Sequence, residues 1–171
     1  MRRTREGDRD TPPPRAPWNE VAERLWMGGH EWIDDHGELQ AAVVTDEFDV
    51  VFSLFTRPNH GPGTGQRHVV HEIPDAPLLP AQIDRVAELA VMAAEELTAG
   101  RKVLVRCRVG HNRSGLLTAQ TLIELGHDAR TAIGMVRRAR SDQALNNATF
   151  VDYLTTGLSV ASLLSGLEAP I

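Results

Sequence analysis

The chain has 171 residues, of which 42% are hydrophobic, and a formal net charge of −5. This length and apolar content are enough for one sizeable core and favour a single domain. The acidic balance argues against a protein that binds nucleic acid or an anionic membrane through an overall positive field. No stretch approaches the roughly eighteen apolar residues of a transmembrane helix, so we expect neither nucleic acid nor a membrane as a partner.

The chain begins with MRRTREGDRDTPPPRAP, which is charged and rich in proline. No apolar segment follows the first arginines, so we expect this stretch to be neither a secretion signal nor a membrane anchor. We predict a disordered N-terminal lead over residues 1–17 and a single domain over residues 18–171. The only cysteine, Cys107, cannot form an internal disulfide, which favours a reduced, cytoplasmic protein.

Three strands are predicted in the first half of the domain. ERLWMGG is typical of a short strand that ends at two glycines, and FDVVFSLF has the length of a buried strand. After the evident loop RPNHGPGTGQ, the segment RHVVHEI alternates as a strand does. PDAPLLP then contains Asp75 and three prolines, which indicates turns.

The second half is mainly helical in pattern. Apolar residues recur at helical spacing from Ala81 to Ala99, and Gly100 fits a C-terminal stop. KVLVRC is a short β-branched strand, and SGLLTAQTLIEL is a helix that ends at Gly126. Further helices are predicted over ARTAIGMVRRAR and NATFVDYLTTGLSVASLL. Strands that alternate with helices predict an α/β fold with a central, mostly parallel sheet of about four to five strands flanked by helices.

Cys107 lies between a predicted strand and a predicted helix. The backbone N–H groups of such a connection converge beside the positive end of the helix and form a cradle for an anion. Those amides stabilise a thiolate, which is the nucleophilic form of cysteine. Gly110 permits the close backbone approach, and the planar guanidinium of Arg113 is suited to two oxygens of one phosphate. Ser114 is placed to cap the helix or to donate a hydrogen bond to the sulfur.

A lone cysteine at the end of a buried strand is more often a small core residue than a nucleophile. The whole string C-x-x-G-x-x-R-S at a strand-to-helix junction reverses this judgement, because a core cysteine has no need of it. We therefore predict a phosphate-binding loop with Cys107 as the nucleophile. Its members are Arg108, Val109, Gly110, His111, Asn112 and Arg113, with His111 and Asn112 contributing shape and hydrogen bonds.

The segment VLVRCRVGHNRSG resembles the signature of the cysteine-dependent protein phosphatases, especially the small dual-specificity group. VAERLWMGGHEWIDDHGELQ is similar to the family's opening strand and helix, HEIPDAPLLP to the segment with its general acid, and LNNATFVDYL to its Asn-x-x-Phe helix. The resemblance covers about Trp18 to Thr156 and implies the phosphotyrosine protein phosphatase-like fold. It implies Cys107 as nucleophile, Arg113 as phosphate clamp, Ser114 as helper for the leaving thiolate, Asp75 as general acid and Asn147 as structural support.

The resemblance further implies an enzyme that hydrolyses phosphate monoesters through a phosphocysteine intermediate, with no metal and no cofactor. The implied partner is a phosphorylated protein, with phosphotyrosine as the main substrate and phosphoserine or phosphothreonine as others. A phosphatase of inositol or nucleotide phosphates and a non-catalytic phosphate-binding protein remain alternatives. His71 and Glu72 are the alternatives to Asp75 as the acid. The oligomeric state is left open.

Three features depart from the family pattern. Arg106 stands where the family usually has histidine, so the hydrogen bonds that order the loop must differ. The loop contains no lysine, which disfavours inositol lipids as substrates, although Arg108 adds positive charge. The long loop TRPNHGPGTGQRH has no equivalent in the family pattern and is expected to shape one wall of the site. Outside the motif, Arg137, Arg138 and Arg140 are interpreted as a solvated basic face of a helix.

Overall fold

In the computed structural model, which describes residues 11–168, seven strands and five helices follow one another along the chain. The strands are β1 (Trp18–Ala22), β2 (Leu25–Gly28), β3 (Glu31–Ile33), β4 (Leu39–Ala41), β5 (Val50–Ser53), β6 (Arg67–Val70) and β7 (Val103–Arg106). The helices are α1 (Pro80–Thr98), α2 (Arg113–Glu124), α3 (Ala129–Ala139), α4 (Ala148–Thr156) and α5 (Leu158–Leu167).

Five strands form the central sheet in the order β1-β2-β7-β5-β6. All neighbours are parallel except β1, which pairs with β2 as an antiparallel edge strand. β5 and β7 lie in the middle and are buried along their whole length, as expected for apolar runs in a parallel sheet. The predicted α/β fold with a mostly parallel sheet flanked by helices is confirmed.

The two faces of the sheet bury different clusters, because successive side chains of a strand point to opposite sides. On one face, Phe52 and Val105 join the main core with the apolar sides of α1 and α2. On the other face, Val51 and Leu104 pack with Phe48 in a small cluster. β7 ends at Arg106, and the loop that begins with Cys107 follows it directly.

The segment similar to an opening strand and helix contains no helix in the structure. EWIDDHGELQ instead forms the antiparallel hairpin of β3 and β4. Asp34 accepts hydrogen bonds from the backbone N–H groups of His36 and Glu38, both at 2.9 Å, and Gly37 adopts a φ of +77°. This part of the prediction is wrong because an aspartate that bonds to nearby amides and a left-handed glycine favour a turn over a helix.

The predicted disordered lead differs from the structure over residues 11–17. Pro14 is buried, and its carbonyl accepts the N–H of Ile33 at 3.0 Å. The carbonyl of Pro17 accepts the N–H of Gly29 at 3.2 Å. Composition predicts disorder from charge and proline content, but proline keeps a carbonyl that accepts hydrogen bonds from a folded neighbour. The first ten residues of the predicted lead lie outside the described residues.

Glycines end several helices as predicted. Gly100 and Gly126 follow α1 and α2 with φ values of +83° and +108°, which glycine adopts without steric cost. Gly157 separates α4 from α5, which are bent by 116° relative to each other.

No single helix within residues 11–168 is long and apolar enough to cross a membrane, and only the bent pair of α4 and α5 meets the criterion by length and composition.

Candidate active site

The loop from Cys107 to Arg113 joins β7 to α2, so the parallel sheet delivers the cysteine to the N-terminal end of a helix. Cys107 and Ser114 are both fully buried, and the Cys107 Sγ lies 3.2 Å from the Ser114 Oγ. Gly110 has a φ of +86°, and a Cβ there would lie 2.7 Å from the backbone of Gly28. The loop therefore requires glycine at this position, as the motif predicted.

The backbone carbonyls of this loop are held on one side, which we call its outer side. Two residues from distant parts of the chain, His30 and Arg140, supply four of the hydrogen bonds. His30 donates from Nδ1 to Cys107 O at 2.8 Å and from its backbone N–H to Arg108 O at 2.7 Å. Arg140 donates from Nη2 to Val109 O and from Nε to Gly110 O, both at 3.1 Å. A planar trans peptide directs its N–H opposite to its C=O. The amides that follow these carbonyls therefore point to the inner side, beside the cysteine sulfur.

Arg140 is not part of a solvated face, and the prediction for it is wrong. Its side chain is buried, and Nη1 also donates to Ala16 O at 2.7 Å and to Asn19 Oδ1 at 2.9 Å. Burial lowers the pKa of Arg140 to about 10, so it remains charged at neutral pH. Arg137 and Arg138 are both exposed as predicted, although Arg137 also donates to the carbonyls of Ala144 and Leu145. Helical periodicity alone could not show that the C-terminal end of α3 packs against the cysteine loop.

Arg113 begins α2, and its side chain is 8% exposed. Nη1 donates to Ile73 O at 3.3 Å, and the guanidinium carbon lies 5.4 Å from the centroid of the Phe55 ring. A carbonyl and an aromatic face both favour a cation, so they fix the direction of the guanidinium. Phe55 also contacts the guanidinium of Arg57, which pairs with Glu31 at 2.6 Å.

Asp75 lies between β6 and α1 and is 8% exposed. Its Oδ2 accepts from Asn112 Nδ2 at 3.0 Å and its Oδ1 from Asn147 Nδ2 at 2.7 Å. The Asn112 Oδ1 accepts the backbone N–H of Asn147 at 2.9 Å, which closes the network. Asn112 of the cysteine loop and Asn147 at the start of α4 thereby hold the Asp75 carboxylate beside the loop. Within residues 11–168, the side chains of His71 and Glu72 make no hydrogen bond to the cysteine loop, and Glu72 is exposed and accepts from Thr56.

His111 and Asn112 behave differently from each other. The side chain of Asn112 hydrogen-bonds outside the loop, to Asp75 and Asn147 and to Asn146 Oδ1 at 2.8 Å. The ring nitrogens of His111 have no hydrogen-bond partner among the described residues, and only its backbone carbonyl is bonded, to the N–H of Leu145 at 3.0 Å. Burial, and then the charge of Arg140, lower the pKa of His111 to about 4.

Arg106 explains how the loop RPNHGPGTGQ is held. Its side chain is buried and donates to Ser53 Oγ at 3.2 Å, to His60 O at 3.0 Å and to Gly61 O. The guanidinium thus ties this loop to the ends of β5 and β7 and does not bond to the cysteine loop. Burial lowers the pKa of Arg106 to about 10.

His30, Arg140 and Phe55 are the site residues that sequence reasoning missed. His30 is 77 positions away from the carbonyl that it contacts, so no local pattern links the two. The only available signal was GGH directly after a strand, where glycine permits close backbone packing. A Cβ on Gly29 would indeed lie 2.6 Å from the backbone of Val109.

Among residues 11–168, no group of three or more His, Cys, Asp and Glu side chains is arranged to hold a metal ion.

The sheet order and the strand-loop-helix around Cys107 define a phosphotyrosine protein phosphatase-like fold, and solved structures agree. Human DUSP28 matches with a TM-score of 0.66 and 20% identity over 93% of this chain and 100% of that one. The kinase associated phosphatase, with its catalytic-site cysteine replaced by serine, matches with a TM-score of 0.58 and 17% identity over 94% and 99%. The human tyrosine phosphatase-like serine/threonine/tyrosine-interacting protein matches with a TM-score of 0.56 and 20% identity over 81% and 93%.

The chain therefore has the fold of the dual-specificity phosphatases, and the predicted resemblance is confirmed at that level. No protein-family model matches the sequence, and no curated protein matches it significantly. At 17–22% identity the likeness concerns the fold. What the site does must be argued from its own residues.

Proposed function

We propose that this chain is a phosphatase that hydrolyses phosphate monoesters through a phosphocysteine intermediate. The observation that carries the proposal is the Cys107 sulfur beside the Ser114 hydroxyl, in a loop whose carbonyls are bonded on the outer side. That arrangement leaves the inner side for converging amides, which stabilise both a thiolate and a phosphoryl group.

In the first step, the Cys107 thiolate attacks phosphorus and forms an S–P bond while the P–O bond to the leaving group breaks. Asp75, protonated, donates its proton to the leaving oxygen. Arg113 and the loop amides bind the equatorial oxygens, where charge spreads in the transition state. The cradle of amides and guanidinium requires no metal for this step.

In the second step, water attacks phosphorus and the S–P bond breaks, which releases inorganic phosphate and the thiolate. Asp75, now ionised, accepts a proton from the water, so one carboxyl group serves both steps. The Ser114 hydroxyl, 3.2 Å from the sulfur, donates a hydrogen bond that stabilises the departing thiolate. Asn112 and Asn147 hold the carboxyl group of Asp75 in place in both steps.

We further propose phosphotyrosine in proteins as the main substrate, with phosphoserine and phosphothreonine as others. The support is the likeness to structures named dual-specificity phosphatases, together with the absence of lysine from the loop. Rates on phosphotyrosine, phosphoserine and phosphothreonine peptides should be compared with those on soluble inositol and nucleotide phosphates. Faster turnover of the soluble phosphates would replace the protein substrate with a small molecule.

The test is hydrolysis of a small aryl phosphate in EDTA, across pH, by the wild type and by Cys107→Ser. We expect metal-independent turnover that falls by at least about 10⁴-fold in the variant, because the hydroxyl is a far weaker nucleophile. Thr118→Ser is the matched control. Thr118 is as fully buried as Cys107 and lies in α2, one turn after Ser114. A folded wild type that binds inorganic phosphate without turnover would instead make this a binding protein.

A further inference from the structure

His30 follows β2 at the second position and is fully buried against the outer side of the cysteine loop. Its Nδ1 lies 2.8 Å from the carbonyl of Cys107, and its backbone N–H bonds to the carbonyl of Arg108 at 2.7 Å. One residue thus holds two successive peptide groups that begin at the nucleophile itself. The backbone N–H of Cys107 also donates to this part of the chain, to the carbonyl of Gly28 at the end of β2, at 3.3 Å.

The tautomer of His30 follows from its partner. A carbonyl oxygen only accepts, so Nδ1 must carry the proton in this contact. The Nε2 atom is buried with no hydrogen-bond partner among residues 11–168, which disfavours a proton there. Burial, and then the positive charge of Arg106, lower the pKa of His30 to about 3, with smaller effects of His60 and Arg57 in the same direction. The ring is therefore neutral and donates from Nδ1 at neutral pH.

The same ring also supports the second phosphate-binding element. It packs against the Phe55 ring with centroids 5.3 Å apart and an interplanar angle of 82°. Phe55 in turn lies under the guanidinium of Arg113. Loss of the imidazole would loosen both the peptide at Cys107 and the aromatic support of the clamp.

We propose that His30 is the positioning residue of the nucleophile: its Nδ1–H holds the Cys107 carbonyl outward and thereby turns the Arg108 amide toward the sulfur and the bound anion. The kinetic part of this inference rests on the proposed phosphatase activity, whereas the effect on the thiolate does not. Arg106, the residue before the cysteine, cannot take this part because its guanidinium is engaged by Ser53 and the 60–61 carbonyls.

The experiment compares the wild type with three variants: His30→Leu, which removes the donor, His30→Asn, whose amide nitrogen can replace Nδ1, and His60→Leu. His60 is the matched control because its ring packs 5.3 Å from that of His30 but does not bond to the loop. Cys107 is the only cysteine, so the pH profile of iodoacetamide alkylation reports on its thiolate directly. Hydrolysis of an aryl phosphate is measured alongside.

We expect the alkylation midpoint of His30→Leu to move up by about one pH unit, since a hydrogen bond of ordinary strength changes an equilibrium up to about tenfold. kcat should fall by a similar factor, while His30→Asn recovers most of both losses and His60→Leu stays near the wild type. A folded His30→Leu with the wild-type midpoint would overturn the inference, as would equal shifts in His60→Leu. If the wild type does not hydrolyse phosphate, only the activity proposal fails, because alkylation still tests His30.

A second measurement needs no variant, in case His30→Leu does not fold. Imidazole ¹H–¹⁵N spectra of the wild type should show His30 as the Nδ1–H tautomer at pH 7, with a resonance that shifts when Cys107 is alkylated. An Nε2–H tautomer, or a resonance unaffected by alkylation, would contradict the inference.

Discussion

The inner and outer sides of the cysteine loop are built from different parts of the chain. On the inner side, Cys107, Arg113 and Ser114 come from one continuous string at a strand-to-helix junction. On the outer side, the contacts come from His30 and Arg140. Both are distant from the loop in sequence, His30 before it and Arg140 after it. The difference teaches that a local motif supplies the proposed nucleophile and phosphate clamp, while the tertiary fold fixes the shape of the loop that holds them.

If this division holds, a change among the reacting groups should reduce the rate with little effect on stability. Asp75→Asn is expected to lower the rate on a peptide or alkyl phosphate by about 10² to 10⁴-fold, because the leaving oxygen loses its proton donor. The free energy of unfolding should change by only about 1 kcal/mol, since one of the two asparagine donors keeps an oxygen acceptor. Rates and denaturation curves measured on the same preparation check both parts.

Glu72→Gln is the control for this variant, because Glu72 is the nearest alternative acid and its side chain points elsewhere. It should retain the wild-type rate. An aryl phosphate with a good leaving group should be affected less by Asp75→Asn than an alkyl phosphate. Equal losses on both substrates would remove Asp75 from the role of acid.

On the outer side, the largest effect expected is on stability. Arg140→Met removes the donor to the carbonyls of Val109 and Gly110 and should lower the free energy of unfolding by about 3 kcal/mol, because each buried acceptor left unpaired costs about 1–3 kcal/mol. Arg138→Met, at an exposed position in the last turn of α3, should stay within about 0.5 kcal/mol of the wild type. Urea unfolding measures both, and equal stabilities would place Arg140 among the surface charges after all.

The pH dependence of stability should also report on the loop. His30 and His111 have folded pKa values of about 3 and about 4, lowered by burial and by Arg106 and Arg140 respectively, against about 6.5 when unfolded. The unfolded chain therefore binds more protons between these values, so stability is full above about pH 6.5 and falls as the pH drops toward 4. Each histidine contributes about 1.4 kcal/mol per pH unit in that window.

Thermal unfolding of the wild type and of His30→Asn and His111→Asn between pH 4 and 7 tests this expectation. Each substitution should reduce the slope of stability against pH by about one proton. An unchanged slope in both buried variants would mean that neither ring is held neutral by the fold.

The fold and the inner side could be predicted because their signals are local. β5 and β7 are continuous apolar runs, and the spacing of Cys107, Gly110, Arg113 and Ser114 specifies a tight loop before a helix. The β3–β4 hairpin was missed because its turn depends on how Asp34 bonds to amides two and four residues ahead. His30 and Arg140 were missed for another reason: nothing in either local sequence says which carbonyls a buried donor will meet.

Asn147 connects the proposed acid to the start of α4. Its Oδ1 caps the helix by accepting the N–H of Phe150 at 3.3 Å, while its Nδ2 holds Asp75. One side chain therefore links the position of the proposed acid to the first turn of α4. Deuterium exchange at the Phe150 amide would report on this link without a probe attached to the site. Slower exchange when inorganic phosphate binds would show that the helix end becomes more rigid when the site is occupied.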